Sequence, residues 1–178
     1  IEDISVSLTI NAVAAPIMAM YFVVAEKHGV PLAQVRGTAQ NDILKEYIGR
    51  GAWIFAVEPA IRLIADTIEF CAKNAPKYYP VSVCGYHIRE SGADPVQEIA
   101  YAYSIACEYI RRGLARGFHV DDFAGRMSFN LDIFGNLFEQ VAKFRAARRL
   151  WAKLMRDEFG AQNPRTMQMK MIAGGGGG

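Results

Sequence analysis

The sequence predicts an α/β protein, a fragment of a parallel (β/α)8 TIM-type barrel. Two observations predict it. Short apolar strands alternate with helices of roughly ten to twenty-five residues, the pattern of right-handed βαβ units on a parallel sheet. Hydrophobic residues make up 52% of the 178 residues, enough for a buried core. The strand spacing and the absence of a dinucleotide glycine fingerprint favour a barrel over a Rossmann sheet. About five strands are visible where a complete barrel needs eight, so the expectation is one incomplete barrel domain over residues 1–178.

The elements follow in order. Ile4–Ile10 reads Ile-Ser-Val-Ser-Leu-Thr-Ile, strict alternation and hence a strand. Asn11 is placed to cap the next helix, Ala12–His28, which Gly29 ends. Val35–Gln40 is a strand or loop, Asn41–Arg50 a short helix, and Trp53–Ala56 a short apolar strand. Pro59 opens a helix at its first turn, with Ile61, Leu63, Ile64, Ile68 and Phe70 as its buried face. Tyr79–Cys84 is a strand, and Gly85-Tyr86-His87 leaves its C-terminal end. Asp94-Pro95 starts a long helix towards Arg116, Val120–Gly125 is an acidic turn, and Met127–Ile133 is a strand. Asn136–Glu158 is a helix and Met167–Ala173 the last strand.

Composition excludes several classes. The net charge is +2 and charges of both signs are mixed, which gives no nucleic-acid surface. Three cysteines, Cys71, Cys84 and Cys107, lack paired spacing, so neither a disulfide framework nor a zinc site is indicated, and a reducing cytoplasm fits best. The most apolar stretch, Ala12–Ala25, is broken by Pro16 and is too short to span a bilayer. The opening Ile-Glu-Asp has no basic signal region. A start without methionine and a stop in Gly174–Gly178 read as an internal fragment.

Parallel barrels place their sites at the C-terminal ends of strands. The polar residues there are Ser5, Ser7 and Thr9, Gln40, Tyr86, His87 and Glu90, and Ser128, Asn130 and Asp132. Few are ionised, which suits positioning a polar substrate more than acid/base hydrolysis. His87 can donate to a carbonyl oxygen on which charge develops, and its local sequence equally fits a histidine satisfied by a backbone carbonyl. Arg50 is either a helix-end cation favoured by the dipole or a fork for a carboxylate, and Arg126 invites the same two readings. Lys143, Arg145, Arg148, Arg149, Lys153 and Arg156 read as the solvated face of an amphipathic helix. His28 and His119 read as structural or solvated. Gly174–Gly178 is a linker scar or a strand end that lets backbone approach a ligand. No metal constellation and no Ser–His or Cys–His nucleophile stands out.

Longer motifs are more specific. Thr38-Ala39-Gln40-Asn41-Asp42-Ile43-Leu44-Lys45-Glu46-Tyr47 with Arg50-Gly51, and Gly85-Tyr86-His87-Ile88-Arg89-Glu90-Ser91-Gly92-Ala93, resemble the methylmalonyl-CoA mutase family. Phe123-Ala124-Gly125-Arg126-Met127-Ser128-Phe129 and Val141-Ala142-Lys143-Phe144-Arg145-Ala146-Ala147-Arg148 continue the match, which covers essentially the whole chain. Gly49–Phe55 and the glycine run are most similar to the ethylmalonyl-CoA mutases of that family, and they make the glycines native sequence.

The resemblance implies a (β/α)8 barrel with coenzyme A threaded along its axis. It implies a cobalamin-binding domain, in the same or a partner chain, over the C-terminal face, and a homodimer. Its cofactor is adenosylcobalamin, whose radical chemistry lets a thioester group migrate to the neighbouring carbon. By position, His87 resembles the donor to the thioester carbonyl and Tyr86 the aromatic wedge beside the adenosyl group. Arg50 and Gln40, with Thr38 beside them, match the holders of the substrate carboxylate. Ser5, Ser7, Thr9, Arg126 and Ser128 match the lining of the coenzyme A channel, and Glu90 a residue near the adenosyl ribose. Gly174 and Gly175 stand on the cofactor side, where small residues leave room for a larger acyl branch. Arg50 implies a dicarboxylic acyl-CoA. Asn130 departs from an aromatic, and the Asp-x-His-x-x-Gly cobalamin motif is absent from these residues. The implied activity, that of a longer parent protein, converts ethylmalonyl-CoA to methylsuccinyl-CoA. Methylmalonyl-CoA with succinyl-CoA is the alternative, and a non-catalytic acyl-CoA-binding subunit the alternative of another class.

Overall fold

The computed structural model describes residue 1 and residues 3–174. The alternating residues Ser5–Leu8 form strand β1, and helix α1 (Ala14–Lys27) returns the chain to β2 (Arg36–Ala39). A short helix α2 (Ile43–Lys45) runs into a π turn at Glu46–Arg50. Helix α3 (Val57–Asn74) leads to β3 (Tyr78–Tyr79) and β4 (Val81–Cys84). Helix α4 (Gly85–Glu90) leaves β4 directly, and α5 (Pro95–Leu114) follows. Helix α6 (Val120–Phe123) precedes β5 (Met127–Asp132). Helix α7 (Leu137–Lys153), extended by a π turn at Leu154–Glu158, and α8 (Pro164–Met167) precede β6 (Met171–Gly174).

Every strand pairing among the described residues is parallel, in two three-stranded sheets ordered β1-β2-β3 and β4-β5-β6. Pro80 divides them, because it has no N–H to give the ladder. Tyr78 and Val81 both pack against helices, so two residues stand between them where strict alternation allows one, as in a bulge. Beyond the bulge the Ser82 N–H of β4 donates to the carbonyl of Gln40, the residue after β2, at 2.9 Å. The single strand expected over Tyr79–Cys84 is therefore two.

The other face carries the core. Val81, Val83, Met127, Phe129 and Leu131 are buried with residues of α3, α5 and α7, and Phe129 meets Trp151 edge to face at 4.9 Å. A second cluster sets Met18, Phe22 and Ala25 of α1 with Val35, Ala39 and Tyr78. Ile61, Ile64 and Ile68 are buried on α3 as their spacing predicts. Leu63 is only half-buried, and Phe70 stays 41% exposed, its ring stacked on Phe22 at 5.4 Å. No helix among the described residues is long and apolar enough to cross a membrane.

Several local expectations are corrected. Asp94 and Asn136 cap α5 and α7 as expected, Asp94 in a capping box with Gln97. Asn11 does not cap α1; its side chain is taken by groups beyond the end of β2. Trp53–Ala56 is not a strand, since no edge pairs with it; Trp53 is 67% exposed and lies against the Tyr47 ring at 4.4 Å. The last strand starts at Met171 because Asn163 and Pro164 nucleate α8 upstream of it. His119 is structural, one of the two roles expected of it: its Nδ1 accepts the Asp121 N–H at 3.3 Å and caps α6.

The basic face of α7 has one exception. Lys143 is buried and donates to Glu98 Oε2 at 2.8 Å and to the Asp132 carbonyl at 2.6 Å. Glu98 on α5, equally buried, also accepts the Asp132 N–H at 2.8 Å. The end of β5 is thus gripped from two helices. Removing one member strands the other charge, so Lys143→Met is expected to lower stability by about 3–5 kcal/mol. A shifted denaturant midpoint at constant slope reads this, and a loss below about 1 kcal/mol contradicts the grip.

Candidate functional site

Residues paired across parallel strands share a face. Ser5 pairs with Arg36, Ser7 with Thr38 and Thr38 with Tyr79; Ser82 pairs with Ser128 and Cys84 with Asn130. The face opposite the core is therefore polar, and its two ends differ in charge.

At the N-terminal ends of the strands lies a pocket of about 350 Å³, lined by Ser5, Arg36, Thr38, Lys77, Tyr79 and Arg126. The Arg126 guanidinium sits over the Tyr79 ring, 5.2 Å from its centroid, and donates to the Tyr79 hydroxyl at 3.4 Å. Among the described residues three cations and no carboxylate line this pocket, so it suits an anionic group.

The C-terminal end is built around Asp42, which is wholly buried. Its Oδ2 accepts the Cys84 N–H at 2.8 Å, and its Oδ1 accepts the Tyr109 hydroxyl at 2.7 Å and the Lys45 N–H at 3.5 Å. Burial raises its pKa to about 6, against the pull of those donors and of the Lys45 charge. The carboxylate is ionised at neutral pH and ties the end of β2 to the end of β4.

Gln40, one residue past β2, is buried with its Oε1 accepting from Lys45 Nζ at 2.7 Å and from Asn11 Nδ2 at 2.9 Å. The Lys45 ammonium also pairs with Glu46 Oε1, which accepts from Asn11 Nδ2 at 3.0 Å. Arg50 Nη1 lies 3.7 Å from the same oxygen, with its side chain half exposed.

His87 arrives on α4. A Cβ at Gly85 would meet Leu131 Cδ2 at 2.8 Å, so only glycine lets the helix leave the strand this closely. The Tyr86 and His87 rings lie 3.8 Å apart. A Cβ at Gly49 would come within 3.3 Å of the His87 backbone, and Ser91 Oγ donates to the Gly49 carbonyl at 2.8 Å. The π turn that carries Arg50 therefore sits directly on α4. His87 Nδ1 is buried without a partner among the described residues. Burial first, then the Lys45 and Arg50 charges, push its pKa down to about 4, with Glu46 opposing. At neutral pH the imidazole is uncharged and offers one N–H.

Gln40, Arg50, Tyr86 and His87 thus share the C-terminal rim, while Ser5, Thr38 and Arg126 line the pocket at the other end. Ser7 and Ser128 lie on the polar face between them, and Thr9 is exposed just past β1. Glu90 is exposed at the end of α4, and its charge acts on Tyr86. Gly174 ends β6, its carbonyl accepting the Ile133 N–H at 3.0 Å; Gly175 lies outside the described residues. Sequence reasoning missed Arg36, which shares the face of Thr38 by strand period. It missed Asp42, Lys45 and Glu46, which stand inside a recognised motif, and Lys77 and Tyr79, which carry no local signal. No group of three or more metal-ligating side chains occurs among the described residues.

A family model described as methylmalonyl-CoA mutase matches residues 1–178. A methylmalonyl-CoA mutase of Cereibacter sphaeroides is 48% identical over 170 residues, covering 96% of this chain and 24% of that protein. The 2-hydroxyisobutanoyl-CoA mutase large subunit of Aquincola tertiaricarbonis is 44% identical, over 96% of this chain and 30% of that one. The mitochondrial methylmalonyl-CoA mutase of Homo sapiens is 42% identical, over 96% and 23%. The chain spans less than a third of the length of each of these relatives.

His87 is expected to titrate near pH 4 in histidine-detected NMR. Its folded pKa lies below the unfolded value of about 6.5, so its stabilising contribution is present above that pH and is lost as pH falls towards 4. A midpoint near 6.5 contradicts the burial and the two neighbouring cations.

Proposed function

This chain belongs to the methylmalonyl-CoA mutase family, and on that premise we propose that it holds the acyl-CoA in the (β/α)8 barrel of an adenosylcobalamin-dependent mutase. The observation that carries the reading is the polar face, with a cationic pocket at one end and an imidazole, an amide and a guanidinium at the other. From Arg36 to Gln40 the strand rises roughly 13 Å, a span that a pantetheine arm bridges. The phosphates of coenzyme A sit with Arg36, Lys77 and Arg126, and Ser7, Thr9 and Ser128 line the path.

The thioester carbonyl accepts from His87, and the free carboxylate of the acyl group lies with Arg50 and Gln40. Held at both poles, the acyl group keeps its two reacting carbons in register while the thioester group changes carbon, an isomerisation. A neutral imidazole steadies the carbonyl oxygen without giving up its proton. The residues present fit the open side of the cofactor: half-buried Tyr86 and exposed Glu90 lie on α4 at the rim, and the ring of exposed Phe134 lies 5.7 Å from the guanidinium of Arg89 on the same helix. When bound, adenosylcobalamin supplies the hydrogen-abstracting radical. A cobalamin-binding domain of the same or a partner chain over this rim, further barrel strands and a homodimeric assembly complete the proposal. The free, buried thiols of Cys71, Cys84 and Cys107 fit a reducing cytoplasm.

Arg50 favours a dicarboxylic acyl-CoA. Ethylmalonyl-CoA, going to methylsuccinyl-CoA, is supported by the glycine run, and a Cβ at Gly174 would meet nothing within 4 Å. Methylmalonyl-CoA is the second reading, supported by the names of two relatives above. Steady-state turnover of both substrates by the full-length parent separates the two, with higher kcat/KM for ethylmalonyl-CoA expected and a strong preference for methylmalonyl-CoA selecting the second. In the same protein, His87→Ala is expected to lower turnover by roughly two to three orders of magnitude. Arg50→Ala should raise KM for the dicarboxylic substrate and spare an acyl-CoA without the carboxylate. Unchanged turnover in His87→Ala removes the imidazole from the reaction.

A further inference from the structure

We propose that Lys45 is a positioning residue, whose buried ammonium fixes the Gln40 amide with its NH2 towards the polar face and neutralises Glu46 so that Arg50 keeps its charge for the substrate. The inference rests on the substrate roles proposed above for Gln40 and Arg50.

The orientation follows from donors that cannot be reversed. An ammonium only donates, so the Gln40 atom 2.7 Å from Lys45 Nζ is the carbonyl oxygen. The second donor to that oxygen, Asn11 Nδ2 at 2.9 Å, is fixed in turn, because Asn11 Oδ1 accepts the Asp42 N–H at 3.0 Å. Both lone pairs of Gln40 Oε1 are then used. Gln40 Nε2 donates to no described residue and is left to the open face. The site presents an N–H donor there and takes a carboxylate or carbonyl oxygen.

The charge count points the same way. Glu46 Oε1 touches Lys45, Asn11 and Arg50. At Glu46 Oε1 itself two cations meet one carboxylate; the Lys45 charge also acts on buried Asp42, and the half-exposed Arg50 is the cation open to solvent. Without Lys45, Glu46 and Arg50 cancel each other, and Gln40 is free to turn its oxygen towards the substrate carboxylate. Lys45 has no exposed atom of its own to offer a ligand, its side chain being 0% exposed.

The test uses the full-length parent with its cofactor, comparing Lys45→Met, Gln40→Ala and the double variant by kcat/KM on the dicarboxylic acyl-CoA it turns over, beside the melting temperature of each. Lys45→Met is expected to lose about tenfold in kcat/KM, mainly through KM, the scale of one misplaced hydrogen bond. The double variant is expected to lose clearly less than the product of the two single losses, because the lysine acts partly through the glutamine. If Lys45→Met does not fold, Lys45→Met/Glu46→Gln, which also removes the carboxylate that the ammonium contacts, enters the same cycle. A multiplicative double variant, or normal kcat/KM in the lysine variant, overturns the proposal. Normal kcat/KM in Gln40→Ala overturns the substrate role of Gln40 itself, and the positioning role with it.

Discussion

The buried carboxylate of Asp42 is the constraint on which the rest of the site depends. It takes the Cys84 N–H and the Tyr109 hydroxyl and begins α2 through the Lys45 N–H. One side chain thereby fixes where β2 stops, where β4 stops and how the chain turns after each. Gln40 precedes it by two residues and His87 follows its β4 partner by three, so their separation is set at this point. The energetic cost is desolvation, visible in the raised pKa of Asp42, and three donors offset it. Glu98 repeats the device at β5, taking the Asp132 N–H while Lys143 takes the Asp132 carbonyl. Backbone groups at the ends of parallel strands lack ladder partners, and a buried acid is a compact way to satisfy them.

The electrostatics of the two rims follow from opposite solutions. At the N-terminal rim three cations and, among the described residues, no acid line an open pocket. At the C-terminal rim Glu46 lies between the buried Lys45 ammonium and the half-exposed Arg50 guanidinium. On that rim His87 is left uncharged by burial first and by the Lys45 and Arg50 charges second. A face built in this way grips a ligand by ions at its ends and by neutral hydrogen bonds along its middle.

What was legible in the sequence is what depends on near neighbours. The alternation of Ser5–Leu8, the Asp94-Pro95 start of α5 and the isoleucine spacing of α3 are local signals, and the structure keeps them. The longer motifs placed Gln40, Arg50, Tyr86 and His87, and the structure brings them to one rim. What was missed depends on distant partners. Asn11 looks like a cap until Gln40, 29 residues away, claims its amide. Lys143 looks solvated until Glu98, 45 residues away, buries it. Tyr79–Cys84 reads as one strand, and only the paired register shows that Pro80 divides it. Trp53–Ala56 has the composition of a strand but no neighbouring edge, which no local pattern reveals.

The most direct measurement is a crystal structure of the full-length protein with its dicarboxylic acyl-CoA bound. The thioester oxygen is expected within hydrogen-bond distance of His87, the free carboxylate on Arg50 and Gln40, and the phosphates beside Arg36, Lys77 and Arg126. An acyl group seated away from the Asp42 clamp, with His87 and Arg50 touching different molecules or none, would contradict that arrangement.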